Sequence, residues 1–249
     1  MISTRTIQFI RSLQVKKFRR QHGLFVAEGE KIVGEMLKEN QEVTCLCALE
    51  SWLENHAERI PSGTEVHEVS PSVLKKISGL TTPNQVLAVG RVPRPGWSRE
   101  ELAKGITLVL DGIQDPGNLG TMVRTADWFG LKRVFCSPDS AEAFGPKVIQ
   151  ASMGSVFRVR IHTEELLPLV QDPGRDVSVA GATLQGKDLY ELPLHAPLLL
   201  VIGNESRGIS PGLIPALHHQ VRIPGGGGAE SLNASVAAGI LMAWFSKQD

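Results

Sequence analysis

Short apolar runs of strand length alternate with stretches of helical periodicity through the second half of this chain. Strands are expected at residues 106–110, 133–136, 156–161, 177–182, 198–202 and 220–223. Helices fill the spaces between them, and a last helix is expected over about residues 232–245. The run Leu198-Leu-Leu-Val-Ile202 is apolar at every position. That is the pattern of a strand buried on both faces of a parallel sheet. The order strand, helix, strand, helix predicts an α/β domain with a parallel sheet covered on both sides.

A smaller set of elements comes first. Phe25-Val-Ala-Glu-Gly-Glu-Lys31 runs from strand into an amphipathic helix that continues to Leu37. Residues 43–48 and 65–69 read as strands, 71–78 as a short helix and 85–92 as a closing strand. Arg91-Val-Pro-Arg-Pro-Gly-Trp-Ser98 concentrates proline and glycine and reads as a linker. Two domains are therefore expected, a small α/β domain over residues 1–95 and a larger one over residues 96–249.

The candidate chemistry sits at strand ends. After residues 106–110 come Asp115-Pro-Gly-Asn118, then a helix carrying Arg124 about two turns in. After residues 198–202 come Gly203-Asn-Glu-Ser-Arg-Gly208. After residues 220–223 come Pro224, the run Gly225–Gly228, and Glu230-Ser-Leu-Asn233. The four glycines read as a loop free to take positive φ and to let another group approach closely. Ser231 or Asn233 then caps the last helix. In open α/β sheets ligands bind outside the carboxyl ends of the strands, which is where these loops lie.

Together the loops resemble the signature of the SpoU/TrmH-type RNA ribose methyltransferases. N-x-G-x-x-x-R is matched by Asn118, Gly120 and Arg124. G-N/S-E-x-x-G is matched by Gly203, Asn204, Glu205 and Gly208. I-P followed by E-S-L-N is matched by Ile223, Pro224, Glu230, Ser231, Leu232 and Asn233. The segment Ala151-Ser-Met-Gly-Ser-Val-Phe-Arg-Val159 is similar to the family as well. One departure is Gly225, where the family usually has Met; it is expected to loosen the loop without removing a catalytic group. The resemblance implies a C-terminal domain with a deep trefoil knot of the SPOUT type, S-adenosylmethionine as cofactor, and methyl transfer to a ribose 2′-hydroxyl of RNA. It implies Arg124, Asn118, Glu205, Ser231 and Asn233 as catalytic positions. It implies Gly203, Ile223, Leu232, Ile202 and Asn233 as cofactor positions. Phe25–Lys31 resembles the opening of the RNA-binding domain found in part of the group, a domain similar to ribosomal RNA-binding proteins, which favours ribosomal RNA. Methylation of transfer RNA, or RNA binding by a knotted protein without activity, remains an alternative reading. A homodimer is implied, paired through the last helix and the helix after Gly117, with Met242, Trp244 and Phe245 offering apolar area.

Charge and cysteine content change this picture little. The 26 basic and 26 acidic side chains cancel, a mild argument against nucleic acid. Their distribution says more. Arg5, Arg11, Lys16, Lys17, Arg19 and Arg20 all precede the first acid, Glu28. They form either a phosphate-binding arm or the solvated face of a helix whose apolar side is Ile7, Ile10, Leu13 and Phe18. No apolar run reaches the ~18 residues of a membrane span, and the N-terminus does not read as a leader peptide. Cys45 and Cys47 alternate with apolar residues and read as core thiols of a strand. No histidine has the spacing of a metal ligand, so no metal and a cytoplasmic setting are expected. A dinucleotide-dependent oxidoreductase is disfavoured, because no G-x-G-x-x-G follows the first strand of the larger domain.

Overall fold

The computed structural model describes residues 2–247. The chain forms two compact units. One holds the residues up to Pro93 together with Glu142–Arg158, and the other holds Arg94–Ala141 together with the residues from Val159 onward.

In the first unit, helices α1 (Thr4–Ser12) and α2 (Lys16–His22) precede β1 (Leu24–Glu28) and α3 (Glu30–Lys38). Then come β2 (Val43–Ala48), α4 (Glu50–His56), β3 (Glu65–Glu68), α5 (Pro71–Ile77) and β4 (Val86–Arg91). The sheet order is β1-β4-β2-β3. β4 runs antiparallel to both its neighbours, and β3 runs parallel to β2. One face of the sheet buries Val26, Cys45, Cys47, Leu87 and Val89 with Ile10, Leu13, Leu74 and Ile77. On the other face Phe25 packs against Phe144 and Phe157, with ring centroids 5.1 and 5.8 Å apart. Residues 142–158 thus complete this unit from far along the chain.

Two expectations are corrected here. The basic N-terminal segment is two helices rather than one. Within it Arg19 is only 5% exposed. Its Nη1 donates to the carbonyls of Leu13 and Gln14 at 2.8 Å each, and its Nε donates to Glu142 at 3.0 Å. A guanidinium so buried and committed joins chain segments rather than reaching out to a phosphate. Arg5, Arg11, Lys16, Lys17 and Arg20 are exposed.

The second unit contains α6 (Arg99–Leu102), β5 (Ile106–Leu110), α7 (Pro116–Trp128) and β6 (Arg133–Cys136). Helix α8 (Pro146–Ser152) belongs to the first unit. Beyond it lie β7 (Arg160–Thr163), α9 (Leu166–Gln171), β8 (Ser178–Asp188), β9 (Leu198–Ile202), β10 (His219–Arg222) and α10 (Ala234–Phe245). The six strands form one parallel sheet in the order β10-β8-β9-β5-β6-β7. Val109, Phe135, Val179, Leu199 and Val201 pack on one side with Leu166, Leu169 and Val170 of α9. Leu108, Leu110, Leu200 and Ile202, the alternate residues, are buried as well. This is why β9 is apolar throughout and β5 is apolar at every position except the buried Thr107. After edge strand β10 the chain returns to pack α10 against α7. The expected knot depends on this crossing.

The strand expected at residues 156–161 begins later. Met153 and Gly154 take positive φ (52° and 88°), and Ser155–Phe157 is a 3-10 turn. The apolar side chains there are buried against the first unit's fold, so their hydrophobicity reflects packing rather than a sheet. Met242 and Phe245 are also not available for pairing. They are 0% and 1% exposed, in the core beneath α10. On α7 and α10 the exposed large apolar side chains are instead Trp128 (83% exposed) and Val236 (50%).

Candidate active site

Strands β5 and β9 are neighbours in register, Leu110 opposite Ile202, so their carboxyl ends open side by side. Asp111 leaves β5 and takes the Ile202 carbonyl through its N–H at 2.9 Å. Its carboxylate, on a residue only 5% exposed, accepts the Ser210 N–H at 2.6 Å. The next turn is held from β6: Ser137 Oγ accepts the Gly112 N–H at 2.8 Å and Ser140 Oγ accepts the Ile113 N–H at 3.1 Å. Cys136, the last residue of β6, is buried, which pushes its thiol up to about 12 and makes it a poor nucleophile.

Asn118 lies in the first turn of α7, not in the loop before it. Asp115 is the N-cap, with its side chain accepting the Asn118 N–H at 2.7 Å, and Pro116 opens the helix. Proline at the first helical position needs no N–H and has the right φ already. The string Asp-Pro-Gly-Asn looks like a turn for the same local reasons. The cap places the Asn118 amide between the other two loops. Its Nδ2 donates to Glu205 Oε1 at 2.8 Å, and its Oδ1 accepts from Asn233 Nδ2 at 3.1 Å. Asn233 Oδ1 in turn caps α10, accepting the Ser235 N–H at 2.9 Å and the Val236 N–H at 3.4 Å. Asn233 rather than Ser231 is thus the cap, and the helix starts at Ala234. Glu205, Asn118 and Asn233 form one hydrogen-bonded chain across three strand-end loops.

The other expected residues are placed as follows. Arg124 is exposed on α7 and makes no side-chain hydrogen bond or ion pair among the described residues. It lies six residues beyond Asn118, about 9 Å further along the helix and about 120° around it. Within one chain the Glu205–Asn118–Asn233 cluster and Arg124 are therefore apart. Ser231 and Leu232 are exposed, Leu232 by 48%, and Ile223 is half-buried after β10. Ile202 is buried to 2%, and its carbonyl is the one taken by Asp111. Gly203 is enclosed. A Cβ there would lie 2.2 Å from the Gly208 carbonyl carbon and the Ile209 nitrogen.

Asn204, a motif residue to which the sequence gives no role, organises its loop. Its Nδ2 donates to the Gly112 carbonyl at 2.7 Å, while its Oδ1 accepts the Ser206 and Arg207 N–H groups at 3.0 and 3.1 Å. Its backbone pairs with Gly208 in both directions. The signal was available in the sequence: Asn before Glu-Ser-Arg-Gly favours an Asx turn.

The loop after β10 suits S-adenosylmethionine through its donor set. Among the described residues no backbone group from Gly225 to Leu232 makes a hydrogen bond within the chain. None of the four glycines would bring a Cβ within 4 Å of another atom. Uncommitted main chain beside the exposed Leu232 offers an adenine both hydrogen-bonding edges and an apolar contact. The four glycines do not use the positive φ open to them.

Comparison with known proteins agrees with this arrangement. Residues 105–243 match the SpoU rRNA Methylase family, and residues 4–88 match the MRM3-like substrate binding domain. The 23S rRNA (guanosine(2553)-2′-O)-methyltransferase RlmP of Bacillus subtilis is 34% identical over 93% of this chain and 92% of its own. A solved TrmH-family structure from Porphyromonas gingivalis superposes with a TM-score of 0.92 at 39% identity, over the full length of both chains. The S-adenosylmethionine-bound rRNA methyltransferase from Sinorhizobium meliloti superposes at 0.88 with 29% identity, over 98% and 95% of the two chains. On the strength of the three strand-end loops, the parallel sheet that carries them and these matches, the chain belongs to the SpoU rRNA methylase family.

Proposed function

We propose that this protein transfers a methyl group from S-adenosylmethionine to a ribose 2′-hydroxyl of ribosomal RNA, with catalysis in residues 96–249 and RNA recognition centred on residues 1–95. The observation that carries the reading is the hydrogen-bonded chain Glu205–Asn118–Asn233, which ties the three family loops together. When bound, S-adenosylmethionine supplies a sulfonium methyl for in-line attack by the ribose oxygen. The main chain around Gly203, Ile223 and Leu232 holds it. Asn118 and Asn233 keep the two flanking loops at a set separation. Arg124, exposed and without a partner among the described residues, binds the substrate's phosphate and the developing alkoxide through its planar fork. An arginine is a poor base, so the hydroxyl proton passes to the phosphate or to water.

In the same reading two copies of the chain pair through α7 and α10. Trp128 and Val236 supply exposed apolar area on these two helices, and light scattering at micromolar concentration tests for the dimer. The setting is the cytoplasm; no helix among the described residues is long and apolar enough to cross a membrane. RNA contacts in the first unit fall to Arg5, Arg11, Lys16, Lys17 and Arg20. Changing Lys16, Lys17 and Arg20 to Gln should flatten the salt dependence of RNA binding by close to one unit of slope per lost phosphate contact.

The deciding experiment maps 2′-O-methylation in total RNA from cells with and without the protein. One ribosomal position should lose its methyl group, regain it with the wild-type chain, and stay unmethylated with Arg124→Ala or Arg124→Lys. A change confined to transfer RNA, or no change at all, refutes the ribosomal assignment. Full methylation with Arg124→Ala refutes the role given to Arg124.

A further inference from the structure

We propose that Cys45, Glu65 and His67 form a zinc site that fastens edge strand β3 to β2. The parallel register sets Cys45 opposite Glu65 and Cys47 opposite His67. Alternate residues of a strand project to one face, so all four side chains share a face. The Cys45 sulfur, a Glu65 carboxylate oxygen and a His67 ring nitrogen lie within 4.8 Å of one another. In a tetrahedral zinc site with bonds of about 2.0–2.3 Å, ligand atoms stand about 3.3–3.7 Å apart. Side-chain adjustments of about 1 Å therefore close the site.

His67 supplies an independent sign. Its Nε2 is shielded from solvent and makes no hydrogen bond, although Glu65 Oε1 is 3.0 Å away. The two atoms stand slightly closer than two ligands of one zinc ion and are not aligned as donor and acceptor, so the metal site needs them to part by a few tenths of an ångström. A shielded nitrogen without a hydrogen bond costs free energy unless something takes its lone pair. Glu65 is exposed and leaves a way in, while Cys45 is covered. Cys47, two residues further along β2, lies on the same face and opposite His67.

The donor set selects the ion. Sulfur with imidazole and one carboxylate suits zinc, whereas calcium and magnesium require oxygen ligands. The Cys45 thiolate and the Glu65 carboxylate balance the two positive charges, and binding releases the Cys45 thiol proton to water. The fourth position is left to water. Strand β3 has reason to need such a clasp. It has four residues, pairs on one side only, and leaves Val66 42% exposed. The site lies in the first unit and does not depend on the methyltransferase reading.

Cobalt reports on thiolate ligation. The reduced full-length protein, stripped with a chelator, is titrated with Co²⁺. One equivalent should give a thiolate-to-cobalt charge-transfer band in the near ultraviolet and the visible bands of a tetrahedral site, both displaced by Zn²⁺. Zn²⁺ should also raise the Tm. Cys45→Ser should abolish the charge-transfer band. His67→Gln, on the edge strand, should leave the metal-free Tm and the methyl transfer unchanged, while weakening metal binding by at least about tenfold, as loss even of an outer-shell partner does. Absence of the band in the wild type overturns the proposal, as does unchanged affinity in His67→Gln. Should Cys45→Ser fail to fold, the His67→Gln titration alone decides.

Discussion

The loop after β9 and the loop after β10 both carry glycine and both reach the same cluster of side chains, yet their construction differs. In the first, Gly203 is hemmed in by the Gly208 and Ile209 backbone, and Asn204, Ser206, Arg207, Gly208 and Ser210 all have their N–H groups engaged. In the second, Gly225–Gly228 touch nothing that a Cβ would meet, and their main chain is uncommitted. Glycine in the first loop is a steric requirement. In the second it adds conformational freedom that the fold itself does not demand. A site that must both present a rigid wall and admit a ligand gains from having one loop of each kind.

The comparison can be broken most directly at Gly203. Gly203→Ala forces a Cβ into backbone, and overpacking of that kind should cost on the order of 3 kcal/mol or more. Denaturant unfolding measures it, with loss of cofactor binding alongside. A change under about 0.5 kcal/mol, the range of a neutral surface substitution, would show that the loop shifts freely and is not a rigid wall.

Asn118→Ala removes the amide that joins both loops. Because Asn118 is only half-buried, its stability effect should stay below about 1 kcal/mol. Misplacing the loops should nevertheless slow methyl transfer about 100-fold, close to 2.7 kcal/mol in the barrier. Single-turnover rates with saturating cofactor give the answer, and an unchanged rate would mean that the loops hold their places without it.

Asn204→Ala tests how the first loop keeps its shape. Two Asx-turn bonds and the bond to the Gly112 carbonyl are lost, for about 1–3 kcal/mol. A matching fall in Tm is expected, with the loop after β10 unaffected in hydrogen exchange.

The smallest effect is expected at Gly226. Gly226→Ala meets no atom of the chain and should be neutral or stabilising by about 0.4–1 kcal/mol, through lost freedom of the unfolded state. If stability holds while S-adenosylmethionine affinity falls tenfold, the glycine serves the ligand rather than the fold, and the contrast between the loops sharpens.

Much of this molecule was legible in the chain, but unevenly. The strands at 106–110 and 198–202 are readable because burial on both faces leaves Thr107 as the one polar position in them. The start of the segment 156–161 misled: Val156 and Phe157 are apolar because they pack in the first unit, and periodicity does not distinguish that from the strand that begins at Arg160. Asn118 reads as a loop residue in the sequence because a proline-led helix start and a turn use the same residues. Arg19 looked like its basic neighbours, and only burial against the Leu13 and Gln14 carbonyls separates it from them. Met242 and Phe245 looked available for pairing, since sequence does not say which side of a helix faces its own core.

The sequence by itself determined the secondary elements, the parallel sheet and the family, because hydrophobic period, caps and loop motifs are local properties of neighbouring residues. The tertiary structure alone decided what those residues do together. Asn118 meets Glu205 across 87 positions and Asn233 across 115. Cys45 meets Glu65 and His67 only because β3 pairs with β2 in one register. Hydrogen bonds and metal sites need atoms within a few ångströms in the right direction, and no local pattern encodes which distant residue the folded chain will bring there.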